Sequence, residues 1–232
     1  MGQLKRQTLG DVFGAVGHLV FKNRGGINYI SHKPVSYATP QDPRSVLIRN
    51  QFRMTSKLSK SINSIDFLKK IWENKYPNSY SIYHKIFNDN YHHLKSDTLS
   101  GDLHLTPDFG FKLYNPEIEL SANKLIFKAD PVPHNSGMDP LKNNFIVAAS
   151  LLIFRYSDHP DSPPVFQPFK GIITPLDLTQ PVFLTTEIHS PEAIVPDDEY
   201  VFRSWSVLII LDEKLNPVCY SQTIPWSSIP RM

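Results

Sequence analysis

The sequence predicts an α+β protein that is mainly β, in which an N-terminal β-hairpin and short helices precede an immunoglobulin- or fibronectin-like β-sandwich. Three observations predict it. A Gly25-Gly26 pair separates two apolar segments near the start, helical spacing of apolar residues runs from Leu47 to Leu94, and beyond Gly101 short β-branched and aromatic runs alternate with proline-rich or acidic turns.

The hairpin is read over Val12 to His32. Val16, Leu19, Val20 and Phe21 precede the turn Lys22-Asn23-Arg24-Gly25-Gly26, and Ile27, Tyr29 and Ile30 follow it. Paired glycines supply the positive φ that a tight turn needs. Two strands alone are marginal in water, so the hairpin is expected to pair with a sheet of its own C-terminal domain or of a neighbouring subunit. Lys33 to Gln41 is an extended linker, because Pro34 and Pro40 keep it out of a helix.

Asp42 and Pro43 then start a helix, aspartate as N-cap acceptor and proline at the first helical position. Leu47, Met54, Leu58, Ile62 and Ile65 fall on one face of it at 100° per residue. Arg49, Arg53, Lys57 and Lys60 fall on the other face, within a sector of about 80°. Asn63 or Ser64 is expected to cap a second helix through Phe67, Leu68, Ile71 and Trp72, stopped before Pro77. A third is expected from Ser79 to Leu94, where Ile82, Tyr83, Ile86, Phe87 and Tyr91 make an aromatic, core-facing stripe.

Seven strands follow in the reading: Gly110 to Tyr114, Lys124 to Ala129, Phe145 to Tyr156, Phe169 to Thr174, Val182 to His189, Tyr200 to Leu211 and Pro217 to Thr223. Turns such as Asp158 to Pro164 and Pro191 to Glu199 separate them.

Composition agrees with a folded, turn-rich chain: of 232 residues 41% are apolar and 12% aromatic, with 20 prolines against 10 glycines. Charge divides it. The first 96 residues hold 15 Lys and Arg against 5 Asp and Glu, a net +10, and the remainder brings the whole to +2 with 9 against 17. The expected domains are therefore a basic hairpin-and-helix region, residues 1–98, and an acidic sandwich, residues 99–232. Such a dipolar molecule attracts its own copies or an anionic surface such as nucleic acid.

Catalytic and cofactor signatures are missing. The chain has no phosphate loop, dinucleotide fingerprint, nucleophile elbow or zincin helix, so it is read as a non-enzyme without cofactors. His84, His92 and His93 group along the chain, but their spacings of eight and nine do not stack two imidazoles as an i, i+4 pair would. Asp158, Asp161 and the triplet Asp197, Asp198, Glu199 lack calcium-loop spacing and read as solvated turns. Cys219, the lone cysteine, lies in an apolar run and reads as a buried thiol. Trp205 reads as core, and Trp226, beside Pro225 and a polar tail, as an exposed contact residue. The longest apolar runs, Phe145 to Phe154 and Val207 to Leu211, are too short to cross a bilayer, and the first ten residues are polar. Cytoplasmic synthesis without a signal peptide is expected, with release in a particle or assembly.

Gly14-x-Val16-Gly17-x-x-Val20, the Gly25-Gly26-x-x-Tyr29 turn, Pro34, Pro40, Arg49-x-x-Phe52 and Leu68-x-x-Ile71-Trp72 together resemble an uncharacterised bacterial family of about this length. Its members carry a sandwich-like region behind this signature. The likeness is sharp up to about Trp72 and continues in outline through the Lys124 to Asp130 strand and the closing Val207 to Ser221 hairpin. The N-terminal pattern is also similar to those of phage-type and mobile-element structural proteins, which implies assembly rather than catalysis.

The functional expectation is a structural protein, a component of a phage-like virion or filament, that self-assembles through its N-terminal arm and basic helix. The residues expected at its contacts are Arg24, Tyr29, Arg49, Arg53, Lys57, Lys60 and Trp226. The alternatives are a module whose sandwich loops bind carbohydrate or another surface, and a protein that uses its basic helix on nucleic acid.

Overall fold

A computed structural model of the chain describes residues 2–3, 13–24, 27–33, 39–94, 103–121, 124–132, 143–156, 164–188 and 200–227. The protein is mainly β with three helices, and its sheets are antiparallel. It forms two compact units, residues 1–46 and 47–232. The packing boundary thus lies in the first turn of a helix, well upstream of the change in charge.

The first unit is a four-stranded sheet of β1 (Gly2–Gln3), β2 (Gly14–Val16), β3 (Leu19–Arg24) and β4 (Ile27–His32), in the order β1-β4-β3-β2. The expected hairpin is β3-β4, with Arg24 opposite Ile27. Both of its outer edges are occupied by short strands of its own segment, a pairing not anticipated above. The β2-β3 turn is Gly17-His18, and Gly17 has φ +58°, which only glycine adopts without cost.

The second unit holds α1 (Pro43–Ser64), α2 (Asp66–Lys75), α3 (Ile82–Tyr91) and strands β5 (Glu117–Ser121), β6 (Lys124–Ala129), β7 (Asn143–Tyr156), β8 (Val165–Lys170), β9 (Thr174–Pro175), β10 (Val182–Glu187), β11 (Tyr200–Asp212), β12 (Pro217–Tyr220) and β13 (Ile224–Ser227). Asp42 caps α1, its Oδ1 accepting from the Ser45 N–H at 2.9 Å. The helix ends at a break where Ile65 turns extended, with φ −88° and ψ 108°. Neither Asn63 nor Ser64 caps α2: its N-cap is Ile65, which is buried, and the Ser64 hydroxyl bonds back to the Ser61 carbonyl. Core burial of an isoleucine decides this boundary over capping chemistry. The third helix is shorter than its periodicity predicts, because the Asn90 carbonyl takes both the His93 and Leu94 N–H groups in a closing turn.

The strands make a six-stranded sheet along β12-β11-β7-β8, with β13 also on β11 and β9 on β7, and a three-stranded sheet β10-β6-β5. β7 and β11 pair from Tyr200 opposite Tyr156 to Asp212 opposite Asn143. Because side chains alternate along a strand, their odd residues and their even residues face opposite ways. Val147, Ala149, Leu151, Ile153, Trp205, Val207, Ile209 and Leu211 join one core with Leu58, Ile62, Leu68 and Trp72 of the helices. Ile146, Ala148, Leu152, Leu208 and Ile210 join the other with Leu125, Phe127 and Leu184 of the small sheet. Three layers result: helices, central sheet, small sheet. Burial on both faces is why these two strands read as unbroken apolar runs rather than as alternation.

Three strand expectations change. Gly110 to Tyr114 is not a strand but a single bridge from Phe111 to Ser221, framed by Gly110 at φ +60° and Asn115 at φ +44°. A Cβ on Gly110 would collide with the Tyr220 carbonyl, so glycine is required there. Phe169 to Thr174 is divided, its first part belonging to β8 and its end to β9. β5 and β13 are additional: the glutamates of β5 resemble a turn, and Pro225 argues against a strand until its place on an edge is known. No helix among the described residues is long and apolar enough to cross a membrane.

Candidate functional site

The apolar stripe of α1 is buried from Met54 onward, whereas Leu47, expected on the same face, is 44% exposed in the first turns of the helix. Met54, Leu58 and Ile62 are buried, while Arg53, Lys57 and Lys60 are exposed on the opposite side and Arg49 is half-exposed. Among the described residues Arg53, Lys57 and Lys60 have no carboxylate partner; Arg53 donates only a long 3.4 Å bond to Asn50 Oδ1. Lys57 and Lys60 open onto a shallow groove of about 490 Å³ that they share with Ser61, Ser64, Val165 and Phe166. The helix is held in place by α3: Gln51 Nε2 donates to the Tyr91 carbonyl at 2.6 Å, Ser56 and Tyr83 hydroxyls bond at 2.6 Å, and the Phe52 and Phe87 rings lie 4.9 Å apart. Phe52 remains 56% exposed, so an aromatic flank borders the cations.

Register assigns two different faces to the N-terminal sheet. Leu19 pairs with Val16 and His32, and Phe21 with Gly14 and Ile30, which sets Val16, Leu19, Phe21 and Ile30 on one face. Val20, Lys22, Tyr29 and Ser31 share the other. None of these apolar side chains is fully buried, and Val16 is 70% exposed. Asn28 alone among the described residues of this unit is buried, bonded across the turn to Asn23 at 2.8 Å. Tyr29 is therefore on the more polar face. Arg24 closes β3 through its backbone, and its side chain is outside the described residues.

Trp226 is half-buried on β13 opposite Ser204 and packs against the core between the sheets; Trp205 is buried. Burial pushes the Cys219 thiol up to about 11. Tyr220 is pushed up to about 12 by burial and by the neighbouring Asp108 carboxylate.

Histidines come together where spacing along the chain does not show it. The His93 and His104 rings lie with centroids 4.6 Å apart, their planes tilted by 40°, and His104 Nδ1 lies 3.1 Å from Asp89 Oδ2. The buried Asn90 side chain holds the backbone of His104 at both ends, accepting from its N–H at 2.8 Å and donating to its carbonyl at 3.0 Å. Trp72 Nε1 donates to the next carbonyl, Leu105, at 2.9 Å. These bonds position His104, with His93, Phe109 and Pro225, around a cleft of about 620 Å³. His84 and His92 are apart from it, exposed beside Tyr83 and Tyr91. No group of three metal-ligating side chains occurs among the described residues. Asp158, Asp161, Asp197, Asp198 and Glu199 lie outside them. Only the adjacency of Asp89 and Asn90 on α3 signals this cluster in sequence, and that is too weak to find it.

Comparison with models of known protein families, with curated proteins and with solved structures finds no match to this chain.

Proposed function

We propose that the protein is a non-enzymatic structural protein that self-assembles, as a component of a phage-like virion or filament, through its N-terminal sheet and the basic face of α1. The observation that carries this reading is the N-terminal sheet's apolar face, Val16, Leu19, Phe21 and Ile30, where no described side chain is fully buried. A sheet gains stability by covering such a face. The occupant is a second copy of this chain, because the +10 of residues 1–96 complements the acidic remainder. The outer edges of the sheet are only two and three residues long, so contact is through the face and not by strand addition. Resemblance of the N-terminal signature to phage-type structural proteins points the same way.

We infer also that the two larger sheets form an immunoglobulin-like sandwich of the fibronectin kind. The strand orders β5-β6-β10 and β8-β7-β11-β12, all antiparallel, support it.

Light scattering across protein concentration and salt, with negative-stain microscopy, tests assembly. Large regular species at low salt are expected, dissolving as salt screens the charge, and lost in a Leu19→Ser/Phe21→Ser variant. A monomer under every condition overturns the reading. A second reading, contact with nucleic acid, is favoured by the groove that Lys57 and Lys60 line, whose ammonium donors suit phosphate. It predicts sequence-tolerant binding that falls with salt and vanishes in Arg53→Glu/Lys57→Glu/Lys60→Glu.

A further inference from the structure

Helix α1 carries five Lys and Arg and no Asp or Glu along its 22 residues, so no carboxylate of its own offsets its charge. The same helix exposes three large apolar side chains in its first three turns: Leu47 at 44%, Ile48 at 49% and Phe52 at 56%. Two of these stand beside the cations. At 100° per residue Ile48 and Phe52 lie on the flank that leads into the sector of Arg49, Lys60, Arg53 and Lys57, and one turn apart they are neighbours on the surface. That flank continues onto α3. The Phe52 ring lies 4.9 Å from Phe87, which stacks on Tyr91 at 5.5 Å, and Phe87 and Tyr91 are only half-buried. Asp89 is the one acidic residue of α3, and its Oδ2 already lies 3.1 Å from His104 Nδ1.

Cations side by side with exposed apolar groups restrict the partner. Lys and Arg alone fit any polyanion, nucleic acid included. Phosphates and base faces, however, give an aliphatic side chain such as Ile48 no apolar phase to enter. The centre of a protein interface is poor in lysine, whereas Lys57 and Lys60 belong to this surface. A bilayer with anionic lipids supplies both halves of the match: phosphates at its surface, hydrocarbon just below, and a boundary that favours aromatic rings.

We propose that α1 docks the protein on an anionic phospholipid surface, Ile48 and Phe52 entering the boundary between headgroups and acyl chains while Arg53, Lys57 and Lys60 lie among the lipid phosphates. The contact is peripheral and spans nothing. It uses apolar residues other than those of the N-terminal sheet, so it goes beyond the assembly reading, with which it shares only the cations of α1.

Vesicle co-sedimentation of the full chain tests it. The probes are vesicles of phosphatidylcholine alone, vesicles of equal parts phosphatidylcholine and phosphatidylglycerol, and single-stranded and duplex DNA oligonucleotides as soluble polyanions. Binding to the mixed vesicles and not to phosphatidylcholine alone is expected. Each Lys or Arg at an anionic surface contributes about fivefold, so Arg53→Glu/Lys57→Glu/Lys60→Glu is expected to weaken vesicle binding by more than about a hundredfold. Ile48→Gln, at a half-exposed side chain, is expected to weaken it about fivefold at unchanged Tm and without effect on any DNA binding. Fluorescence of a Phe52→Trp variant is expected to be quenched by vesicles containing brominated lipid. No binding to the mixed vesicles, an Ile48→Gln variant that binds them like the parent, or an unquenched Phe52→Trp overturns the proposal, and binding to DNA alone gives the face to nucleic acid instead. Leu19→Ser/Phe21→Ser, which removes the apolar contact of the assembly reading, is expected to bind vesicles like the parent, so failure of one reading is distinguished from failure of the other.

Discussion

The central strands β7 and β11 and the N-terminal strands β3 and β4 are both antiparallel pairs, yet their surroundings are opposite. Odd residues of the first pair are buried under helices and even residues under a second sheet, so nearly every described side chain from Ile146 to Ile153 and from Ser204 to Leu211 is buried. In the second pair the described residues bury Asn28 alone. Backbone pairing fixes direction and register in both, but only coverage of the faces turns a ladder into a core. Where coverage is complete the chain's stability resides; where it is partial, the apolar side chains stay only half-buried or exposed.

The largest expected effect tests the covered region. Trp72→Ala removes a fully buried ring between α2 and the central sheet together with its bond to Leu105, and is expected to cost about 3–5 kcal/mol in urea unfolding. If it costs less than a surface substitution does, the three-layer core is wrong. Asn90→Ala is expected to cost about 2–3 kcal/mol, because it leaves the His104 backbone amide without its buried acceptor. Chemical-shift changes confined to residues around His104 would show that the loss is local.

Inside the core, Ser150 and Ser206 are cross-strand partners whose hydroxyls bond at 2.7 Å. Either single alanine is expected to cost about 1–3 kcal/mol, and the double substitution clearly less than the sum of the two, since no orphaned hydroxyl remains. Additive losses would mean that the serines do not interact. In the uncovered region, Phe21→Ala is expected to change monomer stability by under about 1 kcal/mol and, on the assembly reading, to abolish the large species expected in light scattering. Equal losses at Phe21 and Trp72 would erase the distinction between the two regions.

The smallest effect is a dependence on alkaline pH in the covered region. Cys219 and Tyr220 have folded pKa values raised to about 11 and about 12, from ordinary values of 9.0 and 10.0. The folded state therefore holds these protons more tightly than the unfolded chain. Their contribution is complete below about pH 9 and is lost as pH rises towards 12. Thermal unfolding at stepped pH is expected to show Tm falling over this window, less steeply in Cys219→Ala. Native Cys219 is also expected to react slowly with a thiol reagent at pH 8 and rapidly in urea, as a neutral, half-buried thiol does.

Several features were legible before any packing was known. Gly25-Gly26 marked the β3-β4 hairpin, Asp42-Pro43 marked the start of α1, and the 100° spacing of Met54, Leu58 and Ile62 separated its buried face from Arg53, Lys57 and Lys60, although Leu47 on the same stripe is exposed. These are local signals, carried by the conformational limits of glycine and proline and by helical periodicity. Other boundaries depended on distant neighbours. Ile65 rather than Ser64 begins α2 because the core takes the isoleucine, and β13 tolerates Pro225 because it is an edge strand.

The candidate sites show the same division. Arg49, Arg53, Lys57 and Lys60 share a helix, so spacing alone brought them together. His93 and His104 come from different segments and meet because Asn90 holds the His104 backbone. The sequence by itself determined the mainly β composition, the opposed charges of its two halves and the amphipathic first helix, since these follow from residue type and short-range geometry. Tertiary structure alone decided which strands have both faces covered, where the compact units divide and which polar side chains converge, because each depends on contacts between residues far apart in the chain.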